Sequence, residues 1–220
     1  MTRRHMLVTM TRQRARSDED KQARRAAILD AARDVFDATE FDAFTMDAVA
    51  AELGLVKGTL YRYFPTREGL LLAVIDDEFR RWFDAVDAEL DPSRGGTDAV
   101  VDVLVRAILD RPRFMRLLSL LPTVMERNVP YDTAVAFKTM IVARTGSTAD
   151  LVGRRLGVPA DRAVRLLKQL QASLIGLYHH AHPSPIMQQL ADDPAFATLR
   201  LDLPTELRHA TAALVAAALA

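Results

Sequence analysis

One short stretch, residues 56–64, holds the side chains with the most evident chemistry in this sequence. Its polar members are Lys57, Gly58, Thr59, Tyr61, Arg62 and Tyr63. Lysine and arginine bond guanine edges or phosphates, while threonine and tyrosine hydroxyls bond phosphate oxygens. A glycine among them would let a helix backbone approach the floor of a DNA groove. These residue types at this spacing predict a helix face that binds double-stranded DNA.

The opposite side of the same stretch is apolar. Val56, Leu60 and Phe64 lie four residues apart and so share one face of a helix. We expect this face to pack against two preceding helices. A helix of this length with a purely structural role would rarely carry two cations and two tyrosines on its exposed face. The DNA-binding interpretation is therefore favoured.

Two helices are predicted ahead of this one. The first has apolar residues at spacings of three and four, namely Ile28, Ala31, Ala32, Val35 and Phe36. The second begins at the N-cap Thr45, buries Val49 and Leu53, and ends at Gly54, a residue suited to the left-handed conformation that closes helices. Because the third helix follows at once, the three predict a helix-turn-helix unit.

Two further positions could hold DNA phosphates. The free amides of Thr45 and Met46 open the second helix, and the N-terminus of a helix attracts anions. Arg67 lies in the first turn of a fourth helix, which starts just after Pro65, and is placed for another backbone contact. These residues complete the predicted DNA-binding set.

The stretch from Ile28 to Leu70 closely resembles the DNA-binding domain of the TetR family of transcriptional regulators. The resemblance is carried by FTMDAVAAELGLVKGTLYRYFPTREGL, and most specifically by its core GLVKGTLYRYF, residues 54–64. It covers about a fifth of the chain with high specificity and the remainder only loosely. It implies that the residues facing DNA are Thr45, Lys57, Gly58, Thr59, Tyr61, Arg62 and Tyr63, with a backbone contact from Arg67.

Two positions depart from the pattern of that family. Glu40 stands where a glycine is common between the first and second helices, which implies either an altered turn or a left-handed residue costing roughly 1 kcal/mol. Val56 stands where a serine or threonine commonly caps the recognition helix. That cap is therefore absent, and the phosphate contact it would add is in doubt.

Helical periodicity continues along the rest of the sequence, and no alternating strand pattern is found. A long fourth helix carries the apolar stripe Leu71, Ile75, Phe79, Trp82, Val86 and Leu90. Further helices are predicted over residues 97–110, 112–127, 131–155, 160–181 and 205–219, with a kink or break at Pro122. The predicted fold class is all-α, with an N-terminal three-helix DNA-binding domain followed by a C-terminal helical domain that the resemblance identifies with ligand sensing and dimerisation.

The predicted parts are a basic flexible arm over residues 1–20, the DNA-binding domain over 21–66, and the effector-binding and dimerisation domain over 67–220. Residues 1–25 carry eight basic and three acidic side chains, a local charge of +5. The arm could add affinity through the minor groove. The alternative is a disordered leader with a misassigned start, because Met6 and Met10 could each initiate translation.

The charge balance of the predicted DNA-binding domain is slightly acidic. Residues 24–70 carry six basic side chains against eight acidic ones. Affinity for DNA must therefore rest on clustered cations rather than on the overall field.

The resemblance implies that the helices over 160–181 and 205–219 pair with their twins in a homodimer. The residues expected at that interface are Val164, Leu167, Leu174, Ala210 and Leu214. A broad apolar face on one helix and small residues on the other suit close packing, and ordinary packing within one chain is the alternative. Two recognition helices about one DNA turn apart would read a pseudo-palindromic operator.

The middle helices carry large and polarizable residues that could line a pocket for a small effector. They are Phe79, Trp82, Phe83, Phe114, Met115, Met125, Tyr131, Phe137 and Met140. Such residues at helical spacing are also the ordinary content of a protein core. As a set they favour an apolar effector over a polyanion, and a regulator without any effector is the alternative.

Composition limits the other functions. The 220 residues carry 29 basic and 29 acidic side chains, so net charge alone indicates no partner. The absence of cysteine excludes a disulfide scaffold, a thiolate zinc site and a cysteine nucleophile. No apolar run reaches the roughly 18 residues that span a bilayer, and no signal-peptide pattern is found, so we expect a cytoplasmic protein with no membrane partner.

No pair of nucleophile and base, no phosphate-binding glycine loop and no metal-ligand set is found in the sequence. We therefore expect no enzymatic activity, no cofactor and no metal. The predicted function is a homodimeric transcriptional regulator, a repressor that a small apolar effector releases from its operator. The alternative is an all-helical binding or scaffold protein whose DNA-binding face is vestigial.

Overall fold

The computed structural model describes residues 2–90, 96–125 and 129–220, with side chains described over 18–90, 96–122 and 129–220. Within these residues it contains α-helices, two short 3-10 turns and no strand, which confirms the all-α class. The helices are α1 (Thr2–Ala38), α2 (Met46–Glu52), α3 (Lys57–Tyr63), α4 (Arg67–Glu89), α5 (Thr97–Leu109), α6 (Pro112–Met125), α7 (Tyr131–Leu156), α8 (Ala160–Ala181), α9 (Pro185–Asp192) and α10 (Leu203–Leu219). The 3-10 turns span Phe41–Ala43 and Pro194–Leu199.

The chain divides into two compact units, Met1–Val74 and Ile75–Ala220. Helix α4 begins in the first unit and ends in the second. The division falls after residue 74, whereas the sequence predicts a boundary after residue 66. None of the helices in the described ranges is both long enough and apolar enough to span a membrane.

The core of the first unit lies where α1 and α2 meet, with α3 packed against α2. Ile28 and Phe36 of α1 and Val49 of α2 are fully buried, which confirms the predicted apolar faces. The rings of Phe36 and Phe44 meet edge to face at 6.0 Å between centroids. Burying one such side chain stabilises a fold by about 1.5–3 kcal/mol, so this core fixes α1 against α2, the helix on which α3 packs.

Helix α8 is central in the second unit, where it packs against α6, α7 and α10, while α10 also packs against α5. The stripe of α4 that the sequence predicts, from Ile75 through Phe79, Trp82 and Val86 to Leu90, is buried throughout. That stripe therefore forms one wall of the core of this unit.

Polar bonds fix α7 against α4. Arg144 Nη2 lies 2.7 Å from Asp84 Oδ1 and 3.1 Å from Asp87 Oδ2. The hydroxyl of Thr148, which is fully buried, donates to Asp87 Oδ1 at 2.6 Å. This buried hydroxyl is thus satisfied, and the two helices are held in register by hydrogen bonds as well as by apolar packing.

Three segments differ from the expected pattern. Helix α6 continues through Pro122 to Met125, so of the predicted kink or break the break is not found, and the kink stays a prediction. Helix α9 and the 3-10 turn after it occupy a region whose prolines suggest only a connection between helices; Pro185 instead begins a helix, where its missing N–H costs nothing. Helix α1 begins at Thr2, but the side chains of residues 1–17 lie outside the described residues, so the basic flexible arm stays a prediction.

Candidate DNA-binding face and effector cavity

Helix α2 is bounded by the two residues that the sequence marks as its ends. Thr45 Oγ1 accepts a hydrogen bond from the backbone N–H of Ala48 at 3.1 Å, which confirms the N-cap. Gly54 has a φ of 60°, and the N–H of Leu55 donates to the carbonyl of Ala50 at 2.9 Å. This is the bond that closes a helix over a left-handed residue. The resulting tight turn delivers α3 directly after α2.

The apolar face of α3 is shorter than the sequence predicts. Leu60 is fully buried and Phe64 is 5% exposed, but Val56 is 75% exposed. The expectation for Val56 is wrong because this residue is the N-cap, with extended backbone (φ −72°, ψ 138°), and the four-residue spacing of the helix does not reach it. No side-chain bond caps the helix there, as the sequence predicts.

The opposite face of α3 is turned to solvent. Lys57, Gly58, Tyr61 and Arg62 are exposed, while Thr59 and Tyr63 are half-buried. No ion-pair partner is found for Arg62 among the residues with described side chains. Because the helix is anchored on its other side, these side chains are presented on a fixed support.

Lys57 is held by a partner that the sequence does not reveal. Its Nζ lies 2.8 Å from Asp47 Oδ2, on α2, and 5.9 Å from the centroid of the Tyr61 ring. The hydrogen bond with Asp47 raises the pKa of Lys57, so the amine stays charged over the physiological range. A phosphate must therefore compete with Asp47 for this cation. Ten residues and a turn separate the two, which is why spacing alone does not predict the pair.

Gly58 leaves open space on the exposed face. A Cβ built on this residue would meet no atom of the protein within 4 Å, and its φ lies outside the left-handed region. Neither packing nor backbone conformation therefore requires a glycine here. A methyl added here would meet only solvent or a molecule that docks on this face, and alanine would favour the helix by about 1 kcal/mol over glycine.

Arg67 is engaged inside the first unit. Its Nη1 donates to the carbonyl of Phe44 at 3.4 Å, its Nε lies 3.2 Å from Glu68 Oε1, and its guanidinium lies 5.0 Å from the Phe41 ring. The side chain is 27% exposed. These contacts fix the first turn of α4 beside the segment that precedes α2, and a DNA contact from Arg67 stays a prediction.

Two other expectations are refined. Glu40 has φ −70° and ψ 158°, so the left-handed strain is absent and the altered turn is the correct alternative, built as the 3-10 turn Phe41–Ala43. The side chain of Met46 is 5% exposed and lies in the core. Only its backbone amide could therefore contact a phosphate.

The second unit contains a small, partly enclosed cavity of about 30 Å³ among α4, α5, α6, α7 and α8. Of its thirteen lining residues ten are apolar, and the polar ones are Thr145, Lys168 and Gln171. The predicted pocket residues found in the lining are Phe79, Trp82, Phe83 and Phe114. The volume is enough for about one or two water molecules, so a larger ligand requires the walls to move apart.

Trp82, one of the lining residues, carries a buried polar atom. Its ring stacks on that of Phe114 at 5.7 Å between centroids and 8° between planes. Its indole Nε1 is buried and has no hydrogen-bond partner among the described residues. A buried N–H without an acceptor costs about 1–3 kcal/mol, which a ligand or water that supplies an acceptor would recover.

Four other predicted pocket residues, Met115, Tyr131, Phe137 and Met140, do not line this cavity. Met115, Phe137 and Met140 are buried, and Phe137 packs edge to face on Phe79 at 5.9 Å. Tyr131 is 81% exposed. The side chain of Met125 lies outside the described residues.

The residues predicted at a dimer interface fall into two groups. Leu167 and Leu174 are 6% and 2% exposed and line the cavity within their own chain, so they are not available to a partner. Val164, Ala210 and Leu214 are half-buried and remain accessible. The dimer interface itself stays a prediction, with the outward positions of α8 and α10 as its candidates.

Comparison with known proteins covers nearly the whole chain beyond residue 27. A family model described as bacterial regulatory proteins of the tetR family matches residues 28–74. A second, described as the C-terminal domain of tetracyclin repressor-like proteins, matches residues 76–220. These two matches meet within two residues of the division between the compact units.

Similar individual proteins include the HTH-type transcriptional repressor KstR of Mycolicibacterium smegmatis, 38% identical over 81 residues. That match spans 36% of this chain and 38% of KstR. A solved structure assigned to TetR-family regulators from Mesorhizobium loti superposes with a TM-score of 0.59 at 20% identity, covering 90% of this chain and 96% of its own. The regulator FadR of Bacillus subtilis, solved with stearoyl-CoA, gives 0.51 at 13% identity, covering 86% and 97%. At these identities the structures show a shared fold.

Proposed function

The chain belongs to the TetR family of bacterial regulatory proteins, and from that premise we propose that it is a transcriptional repressor that binds operator DNA as a homodimer. One observation carries the proposal. Helix α3 is anchored by the buried Leu60 and presents Lys57, Tyr61 and Arg62 around Gly58, where the protein leaves open space. Cations and hydroxyls suit phosphates and base edges, and the space at Gly58 suits the floor of the groove.

A homodimer makes this face useful. One α3 of seven residues reads only a few base pairs, whereas two copies related by two-fold symmetry read two half-sites. For helix-turn-helix dimers the half-sites lie about 34 Å apart along the DNA, on the same face of the duplex. The operator is therefore a pseudo-palindrome with half-sites about one helical turn apart.

The experiment begins with selection of bound sequences from random double-stranded DNA, followed by affinity measurements on the selected sequence. Replacing Lys57 and Arg62 together by alanine lowers specific affinity by about 100-fold, because each loses a base or phosphate contact worth about 1–3 kcal/mol. Lys138→Ala, which removes an exposed cation of α7, is the matched control and leaves affinity unchanged. A folded double variant with the affinity of the parent would overturn the proposal.

The effector is a small apolar molecule that enters the cavity beside Trp82 and supplies an acceptor to its indole N–H. The aromatic lining of α4 and α6 supports an apolar body, and the indole Nε1, which has no partner among the described residues, supports one polar atom. The cavity lining includes Phe79, Trp82 and Phe83 of α4, the helix whose first turn holds Arg67 against the carbonyl of Phe44. An effector that opens the cavity shifts α4 and lowers DNA affinity by its preference for the open state.

Trp82 is the one tryptophan of the sequence, so its fluorescence reports directly on the cavity. Stearoyl-CoA and stearate are suitable first probes, because stearoyl-CoA occupies the FadR structure of similar fold, and coenzyme A alone is the polyanion control. Binding shifts the emission of Trp82 and releases the selected DNA. Leu118→Phe, which fills the cavity, blocks both effects, while Val142→Phe on the exposed side of α7 does not. If the effector still released DNA from the Leu118→Phe variant, the effector would bind elsewhere.

A further inference from the structure

The cavity beside Trp82 changes in character from its inner to its outer part. Nine of its thirteen lining residues are buried, and all nine carry aliphatic or aromatic side chains. We call this part the floor. The other four form the mouth, where Ile141, Thr145 and Gln171 are half-buried and Lys168 is exposed. All four belong to α7 and α8, so the cavity opens toward these two helices.

The polar side chains of the mouth lie close together. Helices α7 and α8 pack against each other and are joined by a short connection, so they run antiparallel. A Cβ built on Gly153 would lie 3.8 Å from the Cβ of Ala163, which sets their register. Because each residue advances a helix by about 1.5 Å, eight residues back along α7 and eight forward along α8 bring Thr145 level with Gln171. Lys168 lies one turn before Gln171 on the same side of α8.

These three side chains are not used by the fold. Thr145, Lys168 and Gln171 have no side-chain hydrogen bond or ion pair with any residue whose side chain is described. Arg144, the cation next to Thr145, is instead held by two carboxylates of α4. None of the thirteen described lining residues is acidic, so the positive charge of Lys168 is not balanced within the lining. An ammonium, a hydroxyl and an amide that all donate suit a negatively charged acceptor.

The number of charges limits the ligand. One ammonium group balances one negative charge, and the neutral donors of Thr145 and Gln171 add hydrogen bonds without adding charge. A carboxylate carries one charge on two accepting oxygens, whereas a phosphate dianion or a nucleotide would leave charge unbalanced beside apolar walls. The buried floor requires that the rest of the ligand be apolar. Floor and mouth together fit a molecule with one carboxylate at the end of an apolar body.

We propose that the effector of this chain is an amphipathic monocarboxylate, whose apolar body occupies the floor and whose carboxylate is held at the mouth by Lys168. The proposal rests on the effector site of the proposed function and names the charge of its ligand. Thr145 and Gln171 donate to the same carboxylate. A neutral molecule with the same apolar body binds more weakly, because hydrogen bonds to a charged acceptor are about twice as strong as neutral ones.

The test compares three ligands that have ten carbons and different ends, which are decanoate, 1-decanol and decylamine. Trp82 is the one tryptophan of the sequence and lines the cavity, so its emission measures the dissociation constant of each ligand. 1-Decanol reports the contribution of the apolar body alone. Lys168→Gln removes the charge and Lys168→Glu reverses it, both at an exposed position. Arg165→Gln is the matched control, because Arg165 is an exposed cation of α8 that does not line this cavity.

Lys168→Gln is expected to weaken decanoate binding about tenfold and to leave 1-decanol within about twofold of the parent, because only the carboxylate contacts Lys168. Lys168→Glu weakens decanoate further and binds decylamine about tenfold more tightly than the parent does, because the charge at the mouth is reversed. Arg165→Gln changes none of the three by more than about twofold, since solvent screens an exposed charge that does not contact the ligand.

Two results would overturn the proposal, and they are distinguishable. If Lys168→Gln weakened decanoate no more than Arg165→Gln does, the carboxylate would not be held by Lys168, and the cavity would remain the effector site. If neither decanoate nor 1-decanol changed the emission of Trp82, the effector site of the proposed function would be overturned together with this inference.

Discussion

Two short helices of this chain, α3 and α9, turn side chains of opposite chemistry to solvent. Helix α3 is fixed by Leu60, which is fully buried, and turns Lys57 and Arg62 outward. Helix α9 buries none of its residues and turns Ile186 and Leu190 outward. A helix that is fixed by a buried side chain and exposes cations suits a negatively charged partner. A helix that buries nothing and exposes apolar side chains suits an apolar surface on which those side chains can be buried. Exposure alone therefore does not identify a partner; the chemistry of the uncovered side chains does.

The largest expected effect tests the anchor of α3. Leu60→Ala removes a fully buried side chain and leaves a cavity, so we expect the first unit to lose about 2–5 kcal/mol in free energy of unfolding. The same substitution at Leu190, which is 42% exposed, costs less than about 1 kcal/mol. Urea denaturation of both variants measures the contrast. Equal losses at the two positions would remove the distinction between an anchored and an unanchored helix.

A smaller effect separates stability from DNA binding at Gly58. Gly58→Ala raises the free energy of unfolding by up to about 1 kcal/mol, because the added methyl enters open space and favours the helix. The same methyl lowers DNA affinity by about tenfold, because it meets the floor of the groove.

Gly146→Ala is the control for this substitution. It adds a methyl to open space within α7, so the stability gain is similar and DNA affinity does not change. Calorimetry and a DNA titration on the two variants measure both quantities. If Gly58→Ala bound DNA as tightly as the parent, the open space would not be the docking surface.

Restoring the missing N-cap of α3 is expected to stabilise the helix that carries Lys57 and Arg62. Val56→Thr places a hydroxyl at the N-cap, where the backbone is already extended, and we expect a gain of about 1 kcal/mol in the free energy of unfolding. Val56→Ala, which offers no acceptor, shows no such gain. Denaturant midpoints for the three proteins measure the effect, and equal midpoints for threonine and alanine would mean that the cap does not form.

The smallest effect concerns Asp202, the last residue before α10. Asp202 caps α10 by accepting from the N–H and the hydroxyl of Thr205, and these bonds lower the pKa of its carboxyl from the usual 3.8. A carboxyl whose pKa is lower in the folded state than in the unfolded chain stabilises the fold at pH above the unfolded-state pKa. This stabilisation is lost as the pH falls through the folded-state pKa. Asp202→Ala therefore lowers the melting temperature at neutral pH by about 2 °C, and the difference from the parent shrinks below about pH 4. A difference that stays constant down to pH 2 would contradict this role.

The sequence predicts the parts of the fold that local spacing controls. Phe36 on α1 and Trp82 on α4 are buried where a three- and four-residue period places them, and Thr45 caps α2 through a bond to a residue three positions on. The prediction that Val56 lies on the buried face of α3 is wrong because an N-cap residue does not follow the helical period. In each case the outcome depends on residues within a turn or two of the helix concerned.

The features that the sequence does not predict depend on contacts between residues far apart in the chain, or on the absence of such a contact. The bond between Lys57 and Asp47 joins two helices, so it follows from the turn geometry rather than from a motif. The indole N–H of Trp82 has no partner among the described residues, and this depends on which distant side chains pack around it. Helix α9 is not predicted because Pro185, read from the sequence, indicates the end of a helix. In the structure Pro185 is the first residue of one.

The most direct test of the central claim is the salt dependence of DNA binding by the parent and by the protein with both Lys57 and Arg62 replaced by alanine. Each phosphate contact contributes about 0.9 to the slope of log affinity against log salt concentration, so we expect the slope of the double variant to be shallower by about 1 to 2. Unchanged melting temperature shows that the exposed substitutions leave the fold intact. An unchanged slope in a folded double variant would mean that the face of α3 does not contact DNA.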